Sequence, residues 1–291
     1  MNKIRKAVLP VAGFGTRNLP ATKSIPKELL PIVDTPALQI LVEEAVAAGI
    51  EEIIFVVSPG KTAIQEYFSP SLPLEEKLKQ SGKTELLHQI QRISQLAKFT
   101  YVTQAEQLGD GHAILQAREA VGAEPFLVLF GDEIVVSEPS LTSELIQAYE
   151  AKQASIVALQ QVLPAEVSRY GIIQPGKHEG NLVEIAGFVE KPKPLDAPSD
   201  LAIIGKYICT PAIFPILAAH PNSSGEIRLI DALSELITSE AVYGLVASGE
   251  RYDLGDKFGF IKANLDFSLK HPETSARMQA YLRQLAKRLK F

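Results

Sequence analysis

Short apolar runs alternate with segments of helical period through the first half of the chain. Residues 7–11, 52–57, 99–104 and 126–129 read as strands buried on both faces, because each is bounded by turn residues. Between them, 37–48 has helical spacing that ends at Gly49, 75–96 is charged and helical with a break near Ser81-Gly82, and 111–121 is helix-like. Buried strands separated by helices predict a mostly parallel sheet with helices on both sides. Ligands of such sheets bind beyond the carboxyl ends of the strands. The segments 13–17, 104–113 and Gly131-Asp132 all fall there.

The second half is more mixed. Residues 154–162, 170–174, 187–189 and 243–247 carry strand patterns, 192–198 is a proline-rich loop, and 229–237 has the spacing of an amphipathic helix. From Ser275 onward the chain reads as a basic amphipathic helix, with Met278, Leu282, Leu285 and Leu289 on one stripe and Arg283, Lys287, Arg288 and Lys290 around it. The expected fold class is α/β: a Rossmann-like mixed, mostly parallel sheet flanked by helices over 1–270. A small C-terminal helical extension over 271–291 is left to pack on its own subunit or on a neighbour.

At 291 residues the chain is long enough for a sizeable core, and its net charge of −5 argues against a broad nucleic-acid footprint. The one cysteine, Cys209, excludes an intrachain disulfide and a cysteine metal cage, and its apolar surroundings mark it as a buried structural thiol. No apolar stretch has membrane-spanning length and the N-terminus leads directly into a strand, so a cytoplasmic protein is expected.

The chemistry concentrates in a few loops. After the first strand comes Ala12-Gly13-Phe14-Gly15-Thr16-Arg17, followed by Pro26-Lys27-Glu28-Leu29-Leu30-Pro31. Gly13 and Gly15 let backbone N–H groups approach phosphate oxygens, Arg17 can fork onto those oxygens, and Lys27 adds a point charge. The spacing fits neither the dinucleotide G-x-G-x-x-G pattern nor the Walker loop. Asp132 follows a buried strand, and Asp253 and Asp256 lie in a glycine-containing turn, so Asp132 and Asp253 are a candidate magnesium pair on a triphosphate. Asp256 suits a helix cap better. Glu190-Lys191-Pro192 offers an acceptor for sugar hydroxyls beside a cation for phosphate, and Gln104 can read one edge of a pyrimidine. His112 opens a helix and is assigned no catalytic role.

The combination of Gly13-x-Gly15-Thr16-Arg17 with Pro26-Lys27-Glu28-Leu29-Leu30-Pro31 resembles the signature of the sugar-1-phosphate nucleotidyltransferases, most closely the bacterial UTP–glucose-1-phosphate uridylyltransferases. The likeness runs from about residue 4 to 269. It implies transfer of a uridylyl group from UTP to glucose 1-phosphate with Mg2+, in a homo-oligomer (dimer or tetramer) that binds neither nucleic acid nor membrane. Arg17, Lys27 and Lys191 would be catalytic, and Asp132 and Asp253 would hold the metal. Ala12, Gly13, Gly15, Thr16, Gln104 and Gly109 would bind the nucleotide, while Tyr170, Gly171, Glu190 and Gly205 would face the sugar. Four departures from the family pattern stand out: Asn18, Asp110 at a normally apolar place, Glu133 in place of a second Asp, and Arg228 with Ile230 where Gln and Thr are usual. Asp110 is expected to repel phosphates unless it faces solvent, with Arg228 as a candidate to offset it.

Three other readings stay open. A sibling enzyme could use dTTP or another sugar phosphate, since uracil and thymine present the same hydrogen-bonding edge to Gln104. A non-catalytic regulatory paralogue should have lost Arg17, Lys27, Asp132 or Lys191, and all are present. A glycosyltransferase would more naturally carry Asp-x-Asp, whereas Asp132 is followed by Glu133-Ile134.

Overall fold

Ala7 and Leu9 of the first strand face one layer of helices, while Val8 between them faces the other. Phe126, Leu127, Val128 and Leu129 alternate in the same way, as period-two geometry requires of a strand buried on both sides. The computed structural model describes residues 3–219 and 225–289. Its strands are β1 (Lys6–Pro10), β2 (Pro31–Ile32), β3 (Thr35–Pro36), β4 (Glu52–Val57), β5 (Lys98–Thr103), β6 (Phe126–Leu129) and β7 (Glu133–Val136). They continue with β8 (Ser155–Gln161), β9 (Gly171–Glu179), β10 (Leu182–Glu190), β11 (Leu201–Cys209), β12 (Val242–Val246) and β13 (Glu250–Asp253).

One large sheet has the order β5-β4-β1-β6-β11-β8-β12-β10-β9, while β13 pairs with β7 and β2 with β3 in separate ribbons. β5, β4, β1 and β6 are parallel, so the parallel expectation describes the half built by the first part of the chain. Beyond it β11 enters antiparallel between β6 and β8, β12 runs parallel to β8, and β10 and β9 return antiparallel. The sheet is therefore mixed. The apolar run around Cys209 is one of its central strands.

Helices Ala37–Ala47 and Leu141–Lys152 cover one face, and Asp110–Gln116, Ile213–Ala219 and Leu229–Leu236 cover the other. Each large aliphatic or aromatic side chain buried between these layers contributes about 1.5–3 kcal/mol. The charged stretch 75–96 resolves into Leu72–Gln80 and Thr84–Ser94, broken where Gly82 takes φ +66°. Cys209 is buried and unpaired, and burial pushes its thiol up to about 12.

The C-terminal helix Ser275–Leu289 has no fully buried residue. Met278, Leu282 and Leu285 are half-buried along its inner side and Leu289 is exposed. Lys290 lies outside the described residues.

Candidate active site

The loop after β1 is shaped by turns rather than by a helix, as its prolines require. Three 3-10 turns, Thr16–Asn18, Ala21–Lys23 and Lys27–Leu29, follow one another. Gly15 takes φ +63°, a left-handed conformation that favours glycine, and its carbonyl accepts from Thr22 Oγ1 at 2.7 Å. This folding swings Arg17 and Lys27 toward a carboxylate more than a hundred residues away. Lys27 Nζ donates to Asp132 Oδ2 at 2.5 Å, and Arg17 Nη2 reaches the same oxygen at 3.4 Å.

Asp132 lies in the turn just before β7, and Asp253 ends its partner strand β13. Asp253 stands opposite Glu133 in the β13–β7 ribbon, and the Leu254 N–H donates to the Asp132 carbonyl at 2.8 Å. The turn then passes so close that a Cβ on Gly255 would lie 2.5 Å from Arg17 Nη2 and 2.9 Å from Asp132 Oδ2. Desolvation alone would raise the Asp132 pKa, but the Lys27 ammonium and then Arg17 outweigh it and hold the carboxylate low. Lys27 shows the reciprocal result: burial lowers its pKa, while Asp132 and Glu28 more than restore it. Asp256 caps the helix Lys257–Ser268, its Oδ2 accepting from the Gly259 N–H at 3.0 Å.

Two adjoining cavities open at the carboxyl ends of the strands, of about 560 and 300 Å³. The larger is lined by Arg17, Asp132 and Asp253 at one end. Tyr170, Gly171, Glu190, Lys191 and Gly205 line the rest of it. The smaller is lined by Ala12, Gly13, Lys27, Gln104 and Gly109. Asp110 and Phe130 belong to both. Among the predicted site residues, Gly15 and Thr16 line neither cavity; they form the turn that carries Arg17. Lys191 sits at the end of β10 with φ +47°, its N–H donating to the Tyr170 carbonyl and its Nζ 3.0 Å from Glu190 Oε1. Held in that uncommon conformation, its side chain remains largely in solvent.

Gln104 is buried, and its Nε2 donates to the Gly109 carbonyl at 3.1 Å and lies 3.0 Å from His112 Nδ1. His112 is thereby engaged on one side, and Gln116 approaches its Nε2 at 3.0 Å on the other. With the amide nitrogen occupied, Gln104 Oε1 is the atom left to accept from a ligand.

The departures take definite places. Glu133 makes a two-point pair with Arg251 at 2.6 and 2.9 Å and accepts from the Gly205 N–H at 3.1 Å. Arg251 also donates to the Tyr170 hydroxyl at 3.3 Å and stacks over its ring. Desolvation disfavours the Arg251 charge, but Glu133 overrides it and raises the pKa. Asp110 Oδ1 accepts from the N–H groups of Gly111 at 2.7 Å and Leu229 at 3.0 Å. Asp110 has surface open to the cleft, yet protein atoms ring its carboxyl. That desolvation, with Glu190 nearby, pushes its pKa up despite the two N–H donors. Arg228 does not serve as its counter-charge; it forks onto Asp231 at 2.8 and 3.1 Å, because three residues along the chain is one helical step. Backbone N–H groups take the part expected of that arginine. Ile230 packs against Gly171, and Asn18 Nδ2 donates to the Leu254 carbonyl at 3.2 Å, tying the first loop to the Asp253 turn.

Three participants escape the sequence reading. Lys61 donates to the Gly13 carbonyl at 2.5 Å, and Gln107 to the Ala12 carbonyl at 2.8 Å, so the glycine loop is held from two sides. Glu28 is buried against Gly131 and lines the smaller cavity, with Oε2 unpaired. Burial pushes the Glu28 carboxyl up to about 7 although Lys27 pulls the other way. Its neighbours in the motif were conspicuous as cation and prolines; a glutamate in that row gives no sign of being buried.

Among the described residues no group of three or more His, Cys, Asp or Glu could hold a metal ion. Asp132 and Asp253 line one cavity, and two carboxylates could hold a hard cation that takes its remaining oxygens from phosphate and water. No described helix is long and apolar enough to cross a membrane.

The chain is 45% identical to the UTP–glucose-1-phosphate uridylyltransferase YngB of Bacillus subtilis, over 98% of this chain and 97% of that protein. A UTP-bound UDP-glucose pyrophosphorylase of Acinetobacter baumannii superposes with a TM-score of 0.91 at 38% identity, covering 97% of this chain and 99% of that one. A UDP-glucose pyrophosphorylase complexed with UDP-glucose gives 0.83 at 40% identity, covering 92% and 100%. Residues 6–269, from the first strand of the sheet to the end of the helix that follows the Asp253 turn, match the nucleotidyl transferase family, and the chain belongs to it.

Proposed function

We propose that this protein transfers a uridylyl group from UTP to glucose 1-phosphate, giving UDP-glucose and pyrophosphate. The observation that carries the reading is the Lys27–Asp132 contact: Lys27 lines the cavity with the glycine loop and Gln104, and Asp132 lines the cavity with Glu190 and Lys191. Two ligands bound side by side would meet where these charges meet.

The attacking sugar phosphate is anionic at neutral pH, so it needs no general base and no protein nucleophile. The barrier is repulsion between two phosphate groups plus the alignment of attack, which positioned charge can lower. Arg17 and Lys27 hold the triphosphate against the Ala12 and Gly13 backbone, with Gly15 and Thr16 shaping the turn. Lys191 holds the attacking phosphate. Glu190 accepts from sugar hydroxyls, and Tyr170, Gly171 and Gly205 form the wall behind them. Nucleotidyltransferases of this kind generally use a divalent metal. The ion proposed here is Mg2+, held by Asp132 and Asp253, which neutralises phosphate charge when bound.

Gln104 Oε1, left free by the contacts of Nε2, suits the N3–H of uracil and opposes cytosine, whose N3 is an acceptor. Gly109 lets the base lie close to the backbone. Pyrophosphate release measured over four nucleotides and several sugar phosphates tests the whole assignment. UTP with glucose 1-phosphate should be fastest; a preference for dTTP or another sugar phosphate would transfer the reading to a sibling enzyme. Lys191→Ala should cut turnover severely with the fold intact, and near-normal activity would remove its role.

The half-buried stripe of the helix Ser275–Leu289 is proposed as the contact of a homo-oligomer, and the cytoplasm as the place of work. Light scattering of the full chain tests the first; a monomeric mass would overturn it.

A further inference from the structure

Asp110 is the one carboxylate among the described residues common to both cavities. Its Oδ1 is fixed by two backbone N–H groups from different segments, Gly111 at the start of its own helix and Leu229 at the start of another. Those segments are joined again by Ile227 N–H to the Leu108 carbonyl and by His112 N–H to the Ile227 carbonyl. The mounting is rigid, so Oδ2 is fixed as well, and it receives no hydrogen bond from any other described residue.

An acceptor fixed in this way, at the margin of a polar cavity, suits a hydroxyl donor. Its surroundings favour the sugar end over the base end. Glu190 and Tyr207, which line only the larger cavity, are the charged and phenolic groups that interact with Asp110 through space. In the same cavity Ile230 packs on Gly171 beside Ile203 and the Glu190 carboxylate, so an apolar surface adjoins the acceptors there.

The geometry points to Asp110 as a specificity-determining residue of this chain, whose free carboxylate oxygen accepts a hydrogen bond from a hydroxyl of the hexosyl group. This rests on the reading of the larger cavity as a sugar-phosphate site. It replaces the expectation of phosphate repulsion with a selective contact: a sugar lacking that hydroxyl leaves the fixed oxygen without its ligand donor.

Equilibrium binding of UDP-glucose, UDP and the UDP-monodeoxyglucose series to the full chain, with Mg2+, tests the assignment without requiring turnover. Asp110→Asn keeps an oxygen for the two N–H groups and puts an amide where the free oxygen stood. It should weaken UDP-glucose about tenfold while leaving UDP and the melting temperature unchanged. One deoxy analogue should bind wild type about tenfold more weakly than UDP-glucose and show no further loss with Asp110→Asn. Asp110→Leu should lose the same discrimination and also melt earlier, since the Leu229 N–H loses its acceptor. Equal loss of UDP and UDP-glucose would move the contact to the nucleotide and overturn the inference. So would unchanged UDP-glucose binding in Asp110→Asn, which would leave only the clamp between segments. A wild type that binds UDP-glucose no better than UDP would also overturn it. Pyrophosphate release by the wild type, measured separately, decides the catalytic reading by itself.

Discussion

Lys27 Nζ lies 2.5 Å from Asp132 Oδ2, and both side chains are largely buried, 19% and 14% exposed. The pair closes the floor between the two cavities and keeps a desolvated carboxylate ionised. A cation arriving at Asp132 must share that oxygen with the ammonium. Lys27→Met therefore leaves a buried acid with only the long Arg17 contact and should destabilise by about 3 kcal/mol, while lowering turnover at least about 100-fold. The double variant Lys27→Met/Asp132→Asn should regain most of the stability and none of the activity. Denaturant unfolding and pyrophosphate release measured on the three proteins check this; a double variant as unstable as the single one would refute the account of the pair.

Glu28 gives a pH signature. Its folded pKa of about 7 stands above the ordinary value of 4.5, so the folded state prefers the protonated form. The associated stability is fully present below about 4.5 and is lost as pH rises through 7. Glu28→Gln removes the titration. It should melt above wild type at pH 8, by an amount corresponding to up to roughly 3 kcal/mol, and the gap should close as pH falls toward 4.5. A gap that is constant across this range would exclude burial of a titrating carboxyl as its cause.

The glycine loop and the carboxylate after β6 were readable because they are local: an apolar strand, then residues whose chemistry is visible side by side. The parallel half of the sheet was readable for the same reason, each strand being separated from the next by its own helix. β11 was not: the run Ile203-Ile-Gly-Lys-Tyr-Ile-Cys was read only as the apolar surroundings of Cys209, and it carries a lysine whose partner is remote. Lys206 is 1% exposed and donates to Glu44 Oε2 at 2.5 Å, a partner 162 positions away that also accepts from Thr142. Glu133 was flagged only as a departure for the same reason, since Arg251 lies 118 positions along the chain. Pairing across such distances leaves no trace in the local pattern. The hold on Asp110 was equally hidden, because the Leu229 N–H that donates to it lies 119 positions along the chain.

The Glu133–Arg251 pair yields its own prediction. Arg251 touches Glu133 through two nitrogens and Tyr170 through a third contact. A lysine keeps the charge and loses the fork. Arg251→Lys should raise KM for the sugar phosphate by about 5–10-fold, as two hydrogen bonds to a charged group are replaced by one. KM for UTP should stay within twofold, because neither Glu133 nor Arg251 lines the smaller cavity. Steady-state kinetics with each substrate varied in turn decide it, and a rise confined to UTP would show that the network supports the other end of the cleft.

Gly255 separates stability from catalysis. No left-handed backbone is required there, so alanine is tolerated by the chain itself, yet its Cβ would meet Arg17 Nη2 at 2.5 Å and Asp132 Oδ2 at 2.9 Å. Arg17 is the group that yields: its side chain is 64% exposed and ends a flexible stem, whereas Asp132 is anchored by Lys27. Displacing an exposed arginine costs little folding energy, since its contact with Asp132 is long and partly screened. The same displacement moves the charge proposed to bind phosphate by about an ångström or more, and misplacement on that scale costs about 100-fold in rate. Gly255→Ala should therefore melt within a few degrees of wild type and turn over about 100-fold more slowly, with Arg17→Ala/Gly255→Ala no slower than Arg17→Ala alone. Additive losses in the double variant would mean that the methyl group acts on Asp132 or on the turn rather than through Arg17.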